Sequence, residues 1–204
     1  MEQPMDRKKY QLRAVATNFE TREDGEGPII EGYFAVYGSD YEIAPGMSES
    51  IAPGAFSQSL NGDIRCLTNH DTTLVNGRTT AGTFELRDDE TGLWGRCRIN
   101  PNDTDAMNAW HRVQRKDVTQ CSIGFEIVRE ETESRPDGSI HWRIVEAILY
   151  ECSICTFPAY EATSVSARSA QRDALEKRRL DEWKARMKGA LKNGTQNPDA
   201  QEKD

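Results

Sequence analysis

The sequence predicts a mainly β protein with a few helices, an α+β fold, with a β domain over residues 10–167 and a charged helical tail over 168–204. Three observations lead there. Between Tyr10 and Thr156, β-branched and aromatic residues come in short runs separated by Gly, Pro, Asn and Asp turns. One stretch in that region, near Trp110, has helical spacing. After Arg168 apolar residues recur at steps of three and four with charges between them. A chain of 204 residues can bury one substantial core, so one domain with a terminal element is expected.

Residues 1–9 are polar and expected to be disordered. Tyr10 to Asn18 reads as a first strand and Gly27 to Tyr37 as a second. Ser39 to Leu60, with Pro45-Gly46 and Pro53-Gly54, reads as a long substrate-facing loop with a brief helix from Ala55. Ile64 to Thr68 is a short apolar strand running into His70, and Thr80 to Leu86 and Gly92 to Ile99 flank a turn at Asp88 to Gly92. Asn102 or Thr104 can cap a helix from about Asp105 to Arg115, with Met107, Trp110 and Val113 as its apolar stripe. A strand through Ser122 follows, then a turn at Arg135 to Ser139. A long β stretch from Ile140 to Thr156 then closes at Pro158. In the tail, Leu180, Trp183, Met187 and Leu191 form one amphipathic stripe, Asn193-Gly194 is a stop, and a hinge is expected near Ser164 to Ala170. The last ten residues read as disordered. No fixed-period repeat is present.

The net charge of -8 argues against general nucleic-acid affinity, although residues 168–204 hold 10 Lys+Arg against 7 Asp+Glu. No run approaches the roughly 20 apolar residues of a membrane span, and the start lacks the apolar segment of a signal peptide. A soluble, cytoplasmic protein is expected. The five cysteines are an odd number scattered through strand-like segments, which reads as reduced core thiols. Cys152 and Cys155 form a C-x-x-C with no second pair at zinc spacing, so neither a metal nor a cofactor is expected.

Chemistry concentrates in two stretches. In Gln120 to Ile127, Cys121, Ile123, Phe125 and Ile127 point to one face of a strand and Gln120, Ser122, Gly124 and Glu126 to the other. Ser122 thus lies on a polar face beside a glycine that lets another group approach. A lone strand serine usually does no chemistry, and a hydroxyl becomes a nucleophile only when a base takes its proton. Of three histidines, His70, ending an apolar strand between Asn69 and Asp71, is the best base. Its imidazole needs an orienting group, for which Glu151 is favoured because Leu149, Glu151, Ser153 and Cys155 share a strand face. Glu146 is the runner-up, on the opposite face of a regular strand, and Asp71 is too near His70 in sequence to be a first choice. Arg78 could supply a donor near the site. His111, on a polar helix flank, and His141, at an exposed strand start, have no evident partner.

Six pieces taken in order carry a resemblance: Gly54-Ala55-Phe56, Asn69-His70-Asp71, Gly77-Arg78-Thr79, Asp89 to Leu93, Cys121 to Phe125, and Glu151 to Tyr160. Over roughly residues 27–168 the chain resembles the prohead maturation proteases of tailed bacteriophages, relatives of herpesvirus assemblin. That resemblance implies a serine endopeptidase with an assemblin-like β-barrel surrounded by helices. It would act inside the assembling prohead in the host cytoplasm. There it would cleave scaffold or the scaffolding segment of the major capsid protein, and then itself. By position the family's serine falls on Ser122 and its histidine on His70. The herpesvirus branch has a second histidine as third member, where the matching strand here offers Glu151. The implied partners are capsid protein and scaffold as substrates, with no nucleic acid and no membrane; a homo-oligomer is left open. The rival reading is a non-catalytic assembly or scaffolding protein whose charged tail docks on coat subunits.

Overall fold

The structure is a computed structural model that describes residues 10–16, 19–157 and 162–194. The disorder expected of residues 1–9 and of the terminal ten, and strand closure at Pro158, lie outside the described residues. In chain order the elements are β1 (Tyr10–Ala16), β2 (Glu20–Asp24), β3 (Gly27–Val36), β4 (Tyr41–Ala44), β5 (Met47–Ile51), β6 (Arg65–Thr68) and β7 (Asp71–Arg78). A 3₁₀ turn (Thr79–Ala81) leads to β8 (Phe84–Asp88), β9 (Gly92–Arg98), α1 (Thr104–Gln114), β10 (Gln120–Ser134), β11 (Ile140–Cys155) and α2 (Ala162–Gly194).

The mainly β reading holds, with a correction to the barrel: among the described residues the strands form two separate sheets. One runs β1-β10-β11-β5-β4, with β6 also on β11 and β7 on β6; the other runs β2-β3-β9-β8. No strand pairing joins them, so they meet through side chains. Phe34 from β3, Phe84 from β8, Ile123 and Phe125 from β10, Ile154 from β11, and Trp110 and Val113 from α1 share one buried core. Phe34 sits between Phe19 and Phe84, with ring centroids 5.1 Å and 5.7 Å away. Burying such side chains contributes roughly 1.5–3 kcal/mol each before the cost of ordering the chain.

Strand β11 organises the first sheet. Its whole length pairs with β10 on one edge. Its other edge is shared, with β5 parallel to Ile140–Ile144 and β6 parallel to Glu151–Ile154. Between these, the turns around Ala55 to Ser59 supply the missing partners: Ala147 N–H donates to Ala55 O at 2.9 Å and Leu149 N–H to Ser59 Oγ at 3.1 Å. A register shift opposite Gly124/Phe125 and others opposite Ile127–Glu130 break the two-residue alternation. Core positions on β11 therefore run Ile144, then Ala147 and Leu149, then Cys152 and Ile154. This corrects the expectation that Leu149 shares a face with Glu151: Leu149 belongs to the core, opposite Phe125.

The long loop expected over Ser39 to Leu60 is instead the β4–β5 hairpin turning at Pro45-Gly46, followed by turns. Polar Ser48, Glu49 and Ser50 hide it from hydrophobic patterning. Glu49 is 2% exposed and takes two hydrogen bonds from the Arg13 guanidinium, one of them 2.9 Å long. Deleting one partner of such a pair costs about 3–5 kcal/mol. Helix α1 is capped by Asp103, whose Oδ1 accepts from Asp105 N–H and Ala106 N–H, rather than by Asn102 or Thr104; the cap is worth about 1 kcal/mol.

The chain divides into two compact units, residues 1–164 and 165–204. Helix α2 runs unbroken from Ala162 to Gly194 through the segment where a hinge is expected. Its Leu180, Trp183 and Met187 are about half exposed.

Candidate active site

His70 stands at the tip of the β6–β7 hairpin. Thr68 pairs with Asp71, leaving Asn69 and His70 as a two-residue loop with φ of 53° and 59°. Both are left-handed, the pattern of a type I′ turn, which normally takes Asn-Gly. Asn and His tolerate that region better than most residues, but a side chain there still needs support from outside the turn. Support comes from the end of β11. Asn69 N–H donates to Ile154 O at 2.9 Å, Thr156 N–H donates to Asn69 Oδ1 at 2.9 Å, and His70 N–H donates to Ser153 Oγ at 3.1 Å.

The imidazole is fixed by Glu151. Nδ1 lies 2.6 Å from Glu151 Oε1, and since a carboxylate can only accept, Nδ1 carries the proton and Nε2 is left as the basic nitrogen. Tyr10 OH donates to the same Oε1 at 2.7 Å, and Ser153 OH donates to Oε2 at 2.6 Å. Glu151 is 5% exposed, so these three donors replace the water that an ionised carboxylate would otherwise need. Gly124 lies directly opposite Glu151, and a Cβ there would collide with both the Tyr10 hydroxyl and the Glu151 carboxylate. The sequence signal of room beside Ser122 thus has a concrete occupant.

Ser122 is on β10 between Ala14 of β1 and Ser153 of β11, two residues from Gly124 on the same face. It is fully buried, and its Oγ has no hydrogen-bond partner; Gln120 Oε1, on the same face, is likewise unpartnered. A direct Ser122–His70 hydrogen bond of about 3 Å, the arrangement a triad leads one to expect, is therefore absent. The neighbour of Nε2 is Cys155 Sγ at 3.8 Å. Burial pushes the Cys155 thiol up to about 12, so at neutral pH it is an S–H group rather than a thiolate.

The other candidates are committed to other partners, although Glu146 lines the same groove as His70 and Glu151. Asp71 Oδ1 is taken by the N–H and hydroxyl of Thr73, at 2.8 Å and 2.6 Å. Glu146 faces Arg129 at 3.7 Å on the surface. The Arg78 guanidinium is held by Asp63 through two hydrogen bonds of 2.5 Å, at the base of the hairpin rather than its tip. His141 is corrected: it is buried, with Nδ1 2.8 Å from Ser48 Oγ and Nε2 2.9 Å from Ser50 Oγ.

The two-residue period places Ser153 and Cys155 on the Glu151 face, but sequence reasoning gave them no role beside His70 and missed Tyr10 altogether. No local signal could have found Tyr10, which is 141 residues from Glu151. Beside the pair opens a groove of about 900 Å³, lined by Leu67, His70, Thr72, Ile148, Tyr150 and Glu151 among others.

Residues 16–178 match the family described as Caudovirus prohead serine protease. The chain is 32% identical over 168 residues to the prohead protease of Enterobacteria phage HK97, covering 78% of this chain and 68% of that protein. It also overlays the bacteriophage T4 capsid assembly protease with a TM-score of 0.46 at 12% identity, over 74% of this chain and 99% of that one. With the family match spanning most of its length, the chain belongs to the Caudovirus prohead serine protease family.

Proposed function

We propose that this chain is a capsid-maturation serine endopeptidase in which Ser122 is the nucleophile, His70 the general base and Glu151 the group that orients His70. The observation that carries the reading is the 2.6 Å contact of His70 Nδ1 with a buried carboxylate, on the sheet face that also bears a hydroxyl with no other partner. Nε2 takes the proton of Ser122 Oγ as that oxygen attacks the scissile carbonyl carbon. The resulting imidazolium then gives the proton to the leaving amine, and water hydrolyses the acyl-enzyme by the same route in reverse. Glu151 stabilises the imidazolium while remaining ionised. Backbone N–H groups serve the oxyanion.

Because Ser122 and Nε2 are not yet hydrogen-bonded, the catalytic contact forms only when substrate engages the site and Nε2 turns from Cys155 toward Oγ. The groove beside His70 supports an extended peptide as the substrate. Family membership supports scaffold and coat-protein segments as the targets and the assembling prohead as the place of action. The exposed stripe on α2 supports the tail as a tether to scaffold. The absent Ser122–His70 contact favours a second reading, a non-catalytic assembly protein. Coexpression with the neighbouring coat and scaffold proteins, read by intact mass, separates the two. Processing by the wild type and none by Ser122→Ala supports the peptidase. Unprocessed substrates with both, together with no fluorophosphonate labelling at Ser122, would leave the assembly reading.

A further inference from the structure

We propose that Ser153 is a positioning residue for the His70–Glu151 pair, an inference that rests on the peptidase reading above. One oxygen atom of Ser153 touches both halves of that pair: it accepts the His70 backbone N–H at 3.1 Å and donates its own proton to Glu151 Oε2 at 2.6 Å. Tyr10 cannot substitute, because its hydroxyl goes to Oε1, the oxygen already bound by Nδ1. Among the described residues, Ser153 alone ties the backbone of the turn to the carboxylate that aims the ring.

The position of Ser153 makes that tie short and rigid. It follows Glu151 by two residues on one strand, so the hydroxyl and the carboxylate rise from the same face and meet without a loop between them. Fully buried, it has no water to compete for either bond. Its backbone also pairs with Ser122 across the β10–β11 ladder, so the same residue relates the nucleophile's strand to the base's turn. His70 is in the left-handed region at φ 59°, and its N–H would lose its partner if the hydroxyl were removed. The turn would then be held to β11 through Asn69 alone, leaving the His70 peptide free to tilt and carry the imidazole with it. At the same time Glu151 would keep only donors on Oε1, leaving its plane free to rotate about that oxygen.

The test is Ser153→Ala in the full chain, read in three ways. First, proton NMR of the Ser122→Ala protein should contain a far-downfield His70 Nδ1–H resonance from the hydrogen bond to Glu151, broadened or lost when Ser153→Ala is added. Second, coat-protein cleavage should fall about 10- to 100-fold in kcat/KM through kcat rather than KM, as misplaced catalytic geometry predicts. The acid limb of the pH profile should move to lower pH, because a carboxylate that no longer faces Nδ1 squarely stabilises the imidazolium less. Third, in a Glu151→Gln background the further loss from Ser153→Ala should be small, since Ser153 acts through the carboxylate. An unchanged Nδ1–H signal, an unmoved acid limb, or additive losses would overturn the proposal.

If Ser153→Ala fails to fold, the His70 backbone N–H in the otherwise native protein decides by hydrogen exchange. Protection despite its place in a tight turn supports the bond, and rapid exchange overturns it. The NMR and exchange readouts need no substrate. They can sink Ser153 independently of the peptidase reading, which falls if Ser122→Ala still cleaves or if the wild type leaves its substrates unprocessed and Ser122 takes no fluorophosphonate.

Discussion

His70 and His141 both meet serine hydroxyls, and they differ in what is left over. His141 lies within β11 in an ordinary extended backbone, buried, with Ser48 on one ring nitrogen and Ser50 on the other. Whichever tautomer it takes, one serine donates and the other accepts, so nothing remains unsatisfied. His70 lies on a left-handed turn at the mouth of a groove. One nitrogen is committed to a carboxylate and the other, among the described residues, has a weak thiol contact. A histidine with both nitrogens paired stabilises the fold; one held at Nδ1 with Nε2 in reserve can move a proton.

The strongest way to break this comparison is to delete each ring. His70→Ala and Ser122→Ala should each lower coat-protein cleavage at least about 10³-fold, and the double variant should lose little more, as members of one catalytic unit do. His141→Ala should leave cleavage close to wild type in whatever fraction folds. Near wild-type processing by either of the first pair, in a folded protein, would remove that residue from the site.

The next largest effect concerns which carboxylate aims the ring. Glu151→Gln keeps the size of the side chain but permits the wrong tautomer, and should cost about 10²–10⁴-fold in kcat. Glu146→Gln and Asp71→Asn should stay near wild type, since their oxygens face Arg129 and Thr73. Steady-state kinetics on the three variants would reverse the assignment if Glu146→Gln were the impaired one.

The same two histidines mark how far the sequence could be read. The β character and the pairing of His70 with Glu151 were legible because strand periodicity and reactive residues in apolar runs are local signals. The His70 turn was not, because Asn-His replaces the Asn-Gly that marks such a hairpin, and exposed β7 lacks an apolar alternation. His141 was misread for a related reason. Its partners lie on β5, whose Ser48-Glu49-Ser50 looks like loop until Arg13 neutralises Glu49 from β1, 36 residues away. Bulges defeated the rest: on β11 the core face switches between Ile144 and Ala147 and again between Leu149 and Cys152. Strict alternation therefore grouped Leu149 with Glu151.

The stability side of the comparison is smaller. His141→Ala opens a buried space and strands two hydroxyls, and should cost about 2–4 kcal/mol in denaturant unfolding. A cost near zero would mean that His141 is not the structural member of the pair. Cys155→Ala should change cleavage by less than about tenfold, because a neutral thiol beside Nε2 gives little electrostatic help. A large loss would make the thiol part of the catalytic apparatus and weaken the case that Nε2 is held in reserve.

The smallest effect lies at the other end of the His70 hairpin. While its tip is tied to β11, its base is closed by Asp63, which accepts from Arg78 and Arg65 and from the Thr80 hydroxyl. The Arg78 hydrogen bonds, with Thr80 and Arg65, hold the Asp63 carboxyl well below the usual carboxylate range. Its folded form is thus the more acidic one. The stability it adds is complete above the unfolded carboxyl range, about pH 4, and is lost as pH falls further. Both arginines are more than 40% exposed, which screens the pair and limits the contribution to about 1 kcal/mol. Asp63→Asn should therefore lower thermal stability modestly at pH 7, with the gap to wild type narrowing below pH 4 while cleavage at pH 7 stays within a few-fold. If Asp63→Asn instead impaired cleavage as severely as Glu151→Gln, tip and base would not be independent anchors. The geometry of His70 would then depend on the whole hairpin rather than on the contacts of its turn with β11.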